Sequence, residues 1–310
     1  MLQHMGCAQL LGTYLIMEEW IVAAGDEFNI LIRQNVFDEI PHLEVPSSIQ
    51  ILTSGIVLKV KRDANGKEIC FKSRIVIHGN QQITGLSYGD TFSNTPDVAF
   101  IRIIFVIIAY ADLDCHMVDV TSAYTHVPID QPLYVEFPEG FGKNSLTLMK
   151  LKKALYGAHQ SGRLWEHYHN EKILSIGYHP NGKDVSIFTW TKDNIFSIII
   201  CYVDDFVITC TAGHIDPIKC EILDLFDCKD LGEIKLFLGI AITRDCPNRR
   251  LKISMESYIN NIIKLSDLEN AVSAPTPMSN TAPILEPSKI THKFLFITQL
   301  SRLFWIARCC

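Results

Sequence analysis

The sequence predicts an α+β protein in which antiparallel hairpins build a sheet and amphipathic helices cover it. Three observations carry that reading. Apolar, strand-like runs come in pairs about short turns: 56–62 with 69–77 across Asp63-Ala64-Asn65-Gly66, and Phe196 to Cys201 with Phe206 to Thr209 across Tyr202-Val203-Asp204-Asp205. Other stretches space their apolar residues for a helix, as Ile218, Ile222, Leu225 and Phe226 do after an Asp216-Pro217 start, with Asp as N-cap and Pro at the first position. The 310 residues are 48% hydrophobic, ample for a packed core.

Composition then narrows the function classes. A formal net charge of -6 argues against binding nucleic acid through the whole surface and leaves room for a local basic groove. The ten cysteines are scattered, with no C-x-x-C pair and no leader with a basic start, so reduced thiols inside a cell are expected rather than secretion. Eleven histidines include no His-Glu-x-x-His, and His167 and His169 would lie on different faces of a helix; both read as solvated or core residues rather than zinc ligands. The longest apolar stretch, Val98 to Ala111, is too short to span a bilayer and contains Arg102. It reads as a buried helix entered through Thr95-Pro96-Asp97, and no membrane association is expected.

In chain order, residues 1–19 carry no readable signal and are set apart as a leader of unknown role. Trp20 to Ile32 suits an amphipathic helix, and Asn35 to Ile40 runs extended towards Pro41. On the 69–77 strand Lys72 and Arg74 are two apart and share a face, while Phe71, Ser73 and Ile75 share the other. A plain exposed basic face would look the same. Met117-Val118-Asp119-Val120 reads as a buried strand with one acid, which must be paired, hydrogen-bonded or metal-bound. Leu133 to Phe137 is extended before a Pro138-Glu139-Gly140 turn. The run Lys150-Leu151-Lys152-Lys153 suits either a solvated face or a track for phosphates. Arg163 to Ile176 fits a helix with Trp165 and Tyr168 on one side and Gly177 as its stop.

Further on, Leu236 to Ile242 and Leu251 to Ile253 read as a strand pair joined by 244–250, and Ser254 to Leu265 as a helix burying Tyr258, Ile259, Ile262 and Ile263. Ala274 to Pro287 holds four prolines and reads as a linker, and Phe294 to Ala307 is apolar enough to need a partner. The most demanding feature is the Asp204-Asp205 pair. Adjacent carboxylates at the bend of an apolar hairpin repel and lose hydration unless a cation sits between them; a solvated turn is the plainer alternative.

Taken together, Lys72-Ser73-Arg74, Asp119-Val120-Thr121-Ser122-Ala123-Tyr124, Leu151-Lys152-Lys153-Ala154-Leu155-Tyr156-Gly157 with Gln160, Tyr202-Val203-Asp204-Asp205, and Lys229-Asp230-Leu231-Gly232-Glu233 with Phe237-Leu238-Gly239-Ile240 resemble, in order and spacing, copia-type retrotransposon reverse transcriptases. The resemblance runs from about Trp20 to Met278. It implies a right-hand polymerase fold: fingers, a palm with an antiparallel sheet flanked by helices, and a partial thumb. The implied divisions are fingers and palm over 20–253, the start of the thumb over 254–273, and a Pro-rich linker with a truncated connection segment over 274–310.

The resemblance further implies RNA-directed DNA polymerase activity, with two Mg²⁺ ions, for which Mn²⁺ is a substitute, held by palm carboxylates. Asp119, Asp204 and Asp205 match the catalytic and metal-binding acids. Lys72 and Arg74 match the grip on the triphosphate of an incoming dNTP, Tyr124 the residue that excludes a ribose 2′-hydroxyl, and Gln160 a residue at the templating pair. Tyr202, Val203, Lys152 and Lys153 fall where primer and template run. Implied partners are an RNA or DNA template-primer, dNTPs, and the RNase H and integrase parts of a longer polyprotein; the implied location is a cytoplasmic virus-like particle with nuclear access. Ser161-Gly162-Arg163 departs from the family's Ala-Pro-Arg, and Thr125-His126-Val127-Pro128 and His78-Gly79-Asn80 also differ. With no protease, integrase or RNase H motif in the sequence, the chain reads as a fragment of a polyprotein or, alternatively, as a decayed, inactive copy that keeps the palm and binds nucleic acid at most.

Overall fold

A computed structural model describes residues 7–47, 49–62, 68–142, 146–266 and 268–270. Its first half comprises α1 (Cys7–Arg33), β1 (Phe37–Pro41), β2 (Ile51–Leu52), β3 (Ser54–Arg62), β4 (Glu68–Ile77), α2 (Val98–Ala111), β5 (Asp114–Val120), β6 (Tyr134–Glu136) and β7 (Thr147–Leu151). Then come α3 (Ser161–Ser175), β8 (His179–Pro180), β9 (Ile187–Lys192), β10 (Ile195–Tyr202), β11 (Asp205–Cys210), α4 (Ile215–Leu225), β12 (Cys228–Glu233), β13 (Leu236–Phe237), β14 (Ile240–Asp245), β15 (Arg250–Ser254) and α5 (Glu256–Leu265).

The centre is an antiparallel six-stranded sheet in the order β12-β5-β11-β10-β9-β8. Its middle strands are apolar on both faces, which is why β10 and β11 read as continuous hydrophobic runs rather than alternating ones. On one face Phe206, Ile208, Ile199 and Val118 pack against Trp165 and Ile173 of α3 and Ile218 and Ile222 of α4. On the other, Val207, Ile198, Ile200 and Met117 meet Ile101, Ile104, Phe105 and Ile108 of α2. Ile199, Ile200, Val207 and Ile208 are all 0% exposed, each contributing roughly 1.5–3 kcal/mol of burial.

A third core joins Leu31 of α1, Ile75 and Ile77 of β4, and Val135, Met149 and Leu151 of the four-stranded sheet β1-β7-β6-β2. The β3–β4 hairpin pairs Lys59 with Lys72 and Val57 with Arg74, and buries Ser73, Ile75 and Ile77 on its inner side. Trp20 of α1 meets Phe71 edge to face at 4.6 Å. The turn expected at 63–66 lies outside the described residues, as do the linker and the apolar stretch after 274.

Several expectations need correction. The first helix begins at Cys7, so residues 7–19 continue the helix read from Trp20. Helix α2 has the expected bounds, and Asp97 caps it by accepting from the Ala99 amide at 2.8 Å, but its outer residues Ile103, Val106 and Tyr110 are exposed. It packs by one face, although only Arg102 breaks its apolar run. Helix α4 starts at Ile215 with His214 as its cap, one residue before the Asp216-Pro217 pair taken for the start. The single strand expected over 236–242 is a hairpin, because Leu238 (φ 51°) and Gly239 (φ 76°) both take the left-handed backbone of a two-residue turn. In α5, Tyr258 and Ile259 are exposed rather than buried. The described residues divide into two compact units at the Ser257–Tyr258 boundary. No helix among the described residues is long and apolar enough to cross a membrane.

The histidines divide as expected: His167 is exposed, and His169 is buried between Trp165 (5.2 Å) and Phe206 (5.6 Å). Burial lowers the His169 pKa from 6.5 to about 3. The native state therefore binds fewer protons than the unfolded chain in that window, so stability present above about pH 6.5 is lost as the pH falls towards about 3. Denaturant titrations from pH 7 to pH 4 should show a shallower acid-induced loss in His169→Gln than in the parent; equal slopes would contradict the assignment.

Candidate active site

The site is built on the β10–β11 hairpin. Tyr202 pairs with Asp205, which leaves Val203 and Asp204 as the two-residue loop. Val203 sits at φ 54°, a conformation that costs a β-branched residue roughly 1–3 kcal/mol. Two hydrogen bonds hold the loop from outside: Trp165 Nε1 of α3 donates to the Val203 carbonyl at 2.8 Å, and the Val120 amide of β5 donates to the Asp204 carbonyl at 2.7 Å. The second bond continues the β5–β11 ladder, in which Asp119 lies directly opposite Asp205. Asp119 and Asp205 thus share a face of the sheet. Asp204, expected across the strands from Asp119, instead stands at the bend one step beyond the ladder.

The electrostatics nevertheless join Asp119 to Asp204. Burial raises the Asp204 carboxyl above the usual range and the charge of Asp119 raises it further, while Arg74 foremost, then Lys72 and the polar Tyr156 side chain, pull the other way. Asp204 Oδ1 is buried with no hydrogen-bond partner among the described residues. Lys72 and Arg74, on the expected common face of β4, therefore lie within electrostatic reach of the palm-side acid.

What registers β4 against that acid is a backbone contact. The Ile77 amide donates to the Tyr156 carbonyl at 2.8 Å. Gly157 has φ +91°, and a Cβ there would stand 2.1 Å from the Ile77 carbonyl oxygen; a Cβ on Gly79 would stand 2.0 Å from the Gly157 oxygen. The two segments touch where no side chain fits. Tyr156 then projects into the site: Arg74 Cζ lies 5.0 Å from its ring centroid, and the Tyr124 ring meets it edge-on at 4.8 Å. Burial raises both phenols, reinforced by the charge of Asp204. From α1, Glu27 lies within electrostatic reach of Lys72 and Arg74; burial raises its carboxyl despite the Ile75 backbone and those cations, which pull it down.

The remaining expected residues divide. Tyr124 stands beside Asp204 and Arg74. Gln160 is 0% exposed, accepts from Gln82 Nε2 at 3.0 Å and donates to the Ser87 carbonyl at 3.3 Å, so it is committed to the 79–88 loop rather than open to the site. Lys152 bonds Asp38 at 2.6 Å and also Asn35, and the Lys153 backbone bridges to Pro128. Tyr202 leans on Phe237 at 6.4 Å. Sequence reasoning quoted Tyr156 without giving it a role and missed Glu27 and the Trp165 anchor. Gly157 beside Tyr156 was the available signal, since glycine after an aromatic in a turn marks a close backbone approach.

A divalent cation can be tested against these groups. Among the described residues no set of three His, Cys, Asp or Glu side chains is arranged to hold a metal ion. The pair of Asp119 and Asp204 itself fits: two coupled carboxylates, one with a buried, unpartnered oxygen, form an all-oxygen donor set suited to a hard ion. Two stability measurements follow. Asp204 gains protons on folding, so its ionised form weakens the fold as pH rises from the usual carboxylate range through its raised value. At pH 7.5 without divalent ions, Asp204→Asn should melt a few degrees above the parent, and Mg²⁺ should raise the parent's melting temperature but not the variant's; a variant that melts lower would contradict the strained-acid reading. Gly157→Ala should cost at least about 2 kcal/mol by denaturant titration, from backbone strain and contact with Ile77.

Comparison with known proteins gives the family. A profile described as reverse transcriptase (RNA-dependent DNA polymerase) matches residues 37–280. The chain is 32% identical over 242 residues to a retrovirus-related Pol polyprotein from transposon TNT 1-94 of Nicotiana tabacum, covering 76% of this chain and 18% of the relative. It is 29% identical over 268 residues to the Pol polyprotein from transposon RE1 of Arabidopsis thaliana, covering 84% of this chain and 18% of the relative. The chain thus spans about a fifth of the length of these relatives. A foamy viral protease-reverse transcriptase, solved in complex with double-stranded DNA, is 15% identical with a TM-score of 0.38 over 79% of this chain and 35% of that one, a likeness too distant to build on. On the family profile and the transposon relatives, the chain belongs to the copia-type reverse transcriptases.

Proposed function

We propose that this chain extends a DNA primer on an RNA or DNA template, as the RNA-directed DNA polymerase part of a longer retrotransposon polyprotein. The observation that carries the reading is the meeting of a coupled acid pair, Asp119 and Asp204, with two fingers cations, Lys72 and Arg74, in one electrostatic cluster. Acids that hold divalent cations beside cations that grip a triphosphate are what nucleotidyl transfer needs. Family membership over residues 37–280 supports the same reading.

In this reading Asp119 and Asp204 hold Mg²⁺, with Mn²⁺ as a substitute, and Asp205 lies beside the primer end. Bound there, the ions neutralise phosphate charge and make the primer 3′-hydroxyl easier to deprotonate. Lys72 and Arg74 stabilise the negative charge of the triphosphate and of the leaving pyrophosphate. Tyr124 closes the sugar side against a 2′-hydroxyl. Gln160 acts through the 79–88 loop, and Tyr202, Val203, Lys152 and Lys153 flank the primer-template. RNase H and integrase parts of the polyprotein would complete the element's cycle in a cytoplasmic particle with access to the nucleus.

Purified, folded chain should extend a primer with Mg²⁺ and dNTPs, and Asp119→Asn or Asp204→Asn should reduce extension at least about a hundredfold. Absence of extension with both Mg²⁺ and Mn²⁺ would reject the activity and leave a non-catalytic palm. Tyr124→Ala should lower discrimination against ribonucleotides by roughly tenfold; unchanged discrimination would remove its assignment.

A further inference from the structure

The polymerase chemistry leaves two features unused, the Lys229-Asp230-Leu231-Gly232-Glu233 motif and the buried Lys219, and the structure joins them. Lys219 of α4 is 8% exposed, and a lysine is rarely so buried unless it is paired. Its ammonium stands 2.8 Å from Asp230 Oδ2 on β12, 3.2 Å from His116 Nδ1 on β5, and 3.3 Å from Asp216 Oδ1 three residues back on its own helix. An ammonium only donates, so His116 Nδ1 accepts and the ring carries its proton on Nε2. The Asp216 side chain is exposed and adds little; the contacts with Asp230 and His116 are the ones that reach the sheet. Asp230 uses its other oxygen, Oδ1, to accept from the Gly232 amide at 2.8 Å. Gly232 has φ +70°, and the β12–β5 ladder skips Leu231 between Asp230 and Gly232. One carboxylate therefore both shapes this bulge and pins it to α4.

The bulged strand decides what stands beside Asp119. Strand β12 lies at the edge of the sheet, and its register places Asp230 opposite Val118 and Lys229 opposite Asp119. Successive side chains alternate, so with Asp230 turned to α4, Lys229 turns to the face that Asp119 shares with Asp205. A one-residue slip of β12 would put the acid Asp230 on that face in place of Lys229. We propose that Lys219 is a positioning residue for the metal-binding end of the sheet: through Asp230 and His116 it clamps the bulged edge strand β12 against β5 and so fixes Asp119. This rests on the reading of Asp119 as a cation ligand.

Lys219→Met removes the ammonium but leaves Asp230 without its partner, so the double variant Lys219→Met/Asp230→Asn separates a lost tie from a stranded charge. Asp230→Asn alone keeps the Gly232 contact and is the mildest cut. On the full chain, circular dichroism melts read folding, hydrogen exchange with mass spectrometry reads β5 and β12, and isothermal titration calorimetry reads Mn²⁺ binding. The double variant should melt closer to the parent than Lys219→Met does. Its β5 and β12 amides should nevertheless exchange at least about tenfold faster than the parent's, with β9 and β10 unchanged. It should also bind Mn²⁺ at least about threefold more weakly. Asp230→Asn should show both effects in smaller measure. Parent-like exchange of β12 in the double variant and in Asp230→Asn would overturn the clamp. Mn²⁺ affinity that recovers along with the melting temperature would make Lys219 a stabilising pair only and overturn its positioning role while the metal site stands. A parent chain that binds no Mn²⁺ would overturn the metal-site reading and the positioning role with it.

Discussion

Two carboxylates held near each other at the end of an apolar sheet are an unfavourable arrangement, and much of this structure works to hold it. The strand that carries Asp119 and the hairpin strands that flank Asp204 are buried on both faces, so the acids cannot drift apart without disturbing the core around Ile199, Ile200, Val207 and Ile208. The hairpin that presents Asp204 is itself strained at Val203, and the bonds from Trp165 and Val120 keep it in place. Burial and the Asp119 charge both push the Asp204 carboxyl towards its neutral form. A site that is uncomfortable without a cation gains most when one binds.

The opposing charge comes from a different layer of the molecule. Lys72 and Arg74 ride on a two-stranded ribbon that is fixed to the rest by α1 on one side and by the Ile77–Tyr156 backbone contact on the other. Glycines at 79 and 157 let two backbones touch there, and that contact sets how far the cations stand from the acid. Glu27 adds an acid behind the same cations, which keeps the ribbon's charge partly balanced.

Much of this was legible in the residues, for identifiable reasons. The double-sided burial of β10 and β11 and the shared face of Lys72 and Arg74 follow from period-two geometry, which sequence displays directly. The single strand read over 236–242 failed because a Leu-Gly pair within an apolar run conceals a turn that needs left-handed backbone at both positions. Gln160 was read by motif alone and turned out to be packed against Gln82 and Ser87, since burial of a polar side chain depends on a loop some eighty positions away in sequence. The facing of Asp119 and Asp204 was misread by one register step, because the two-residue loop puts Asp205 in the ladder and Asp204 outside it. Tyr156 escaped notice because its partners, Arg74, Tyr124 and Asp204, are brought together only by the tertiary fold.

The central claim is that Asp119 and Asp204 form a seat for a divalent cation. The most direct measurement is anomalous diffraction from crystals of the chain grown with Mn²⁺. We expect a peak within coordinating distance of both carboxylates, with Asp204 Oδ1 among its ligands. Ordered Asp119 and Asp204 side chains with no manganese peak between them would contradict it.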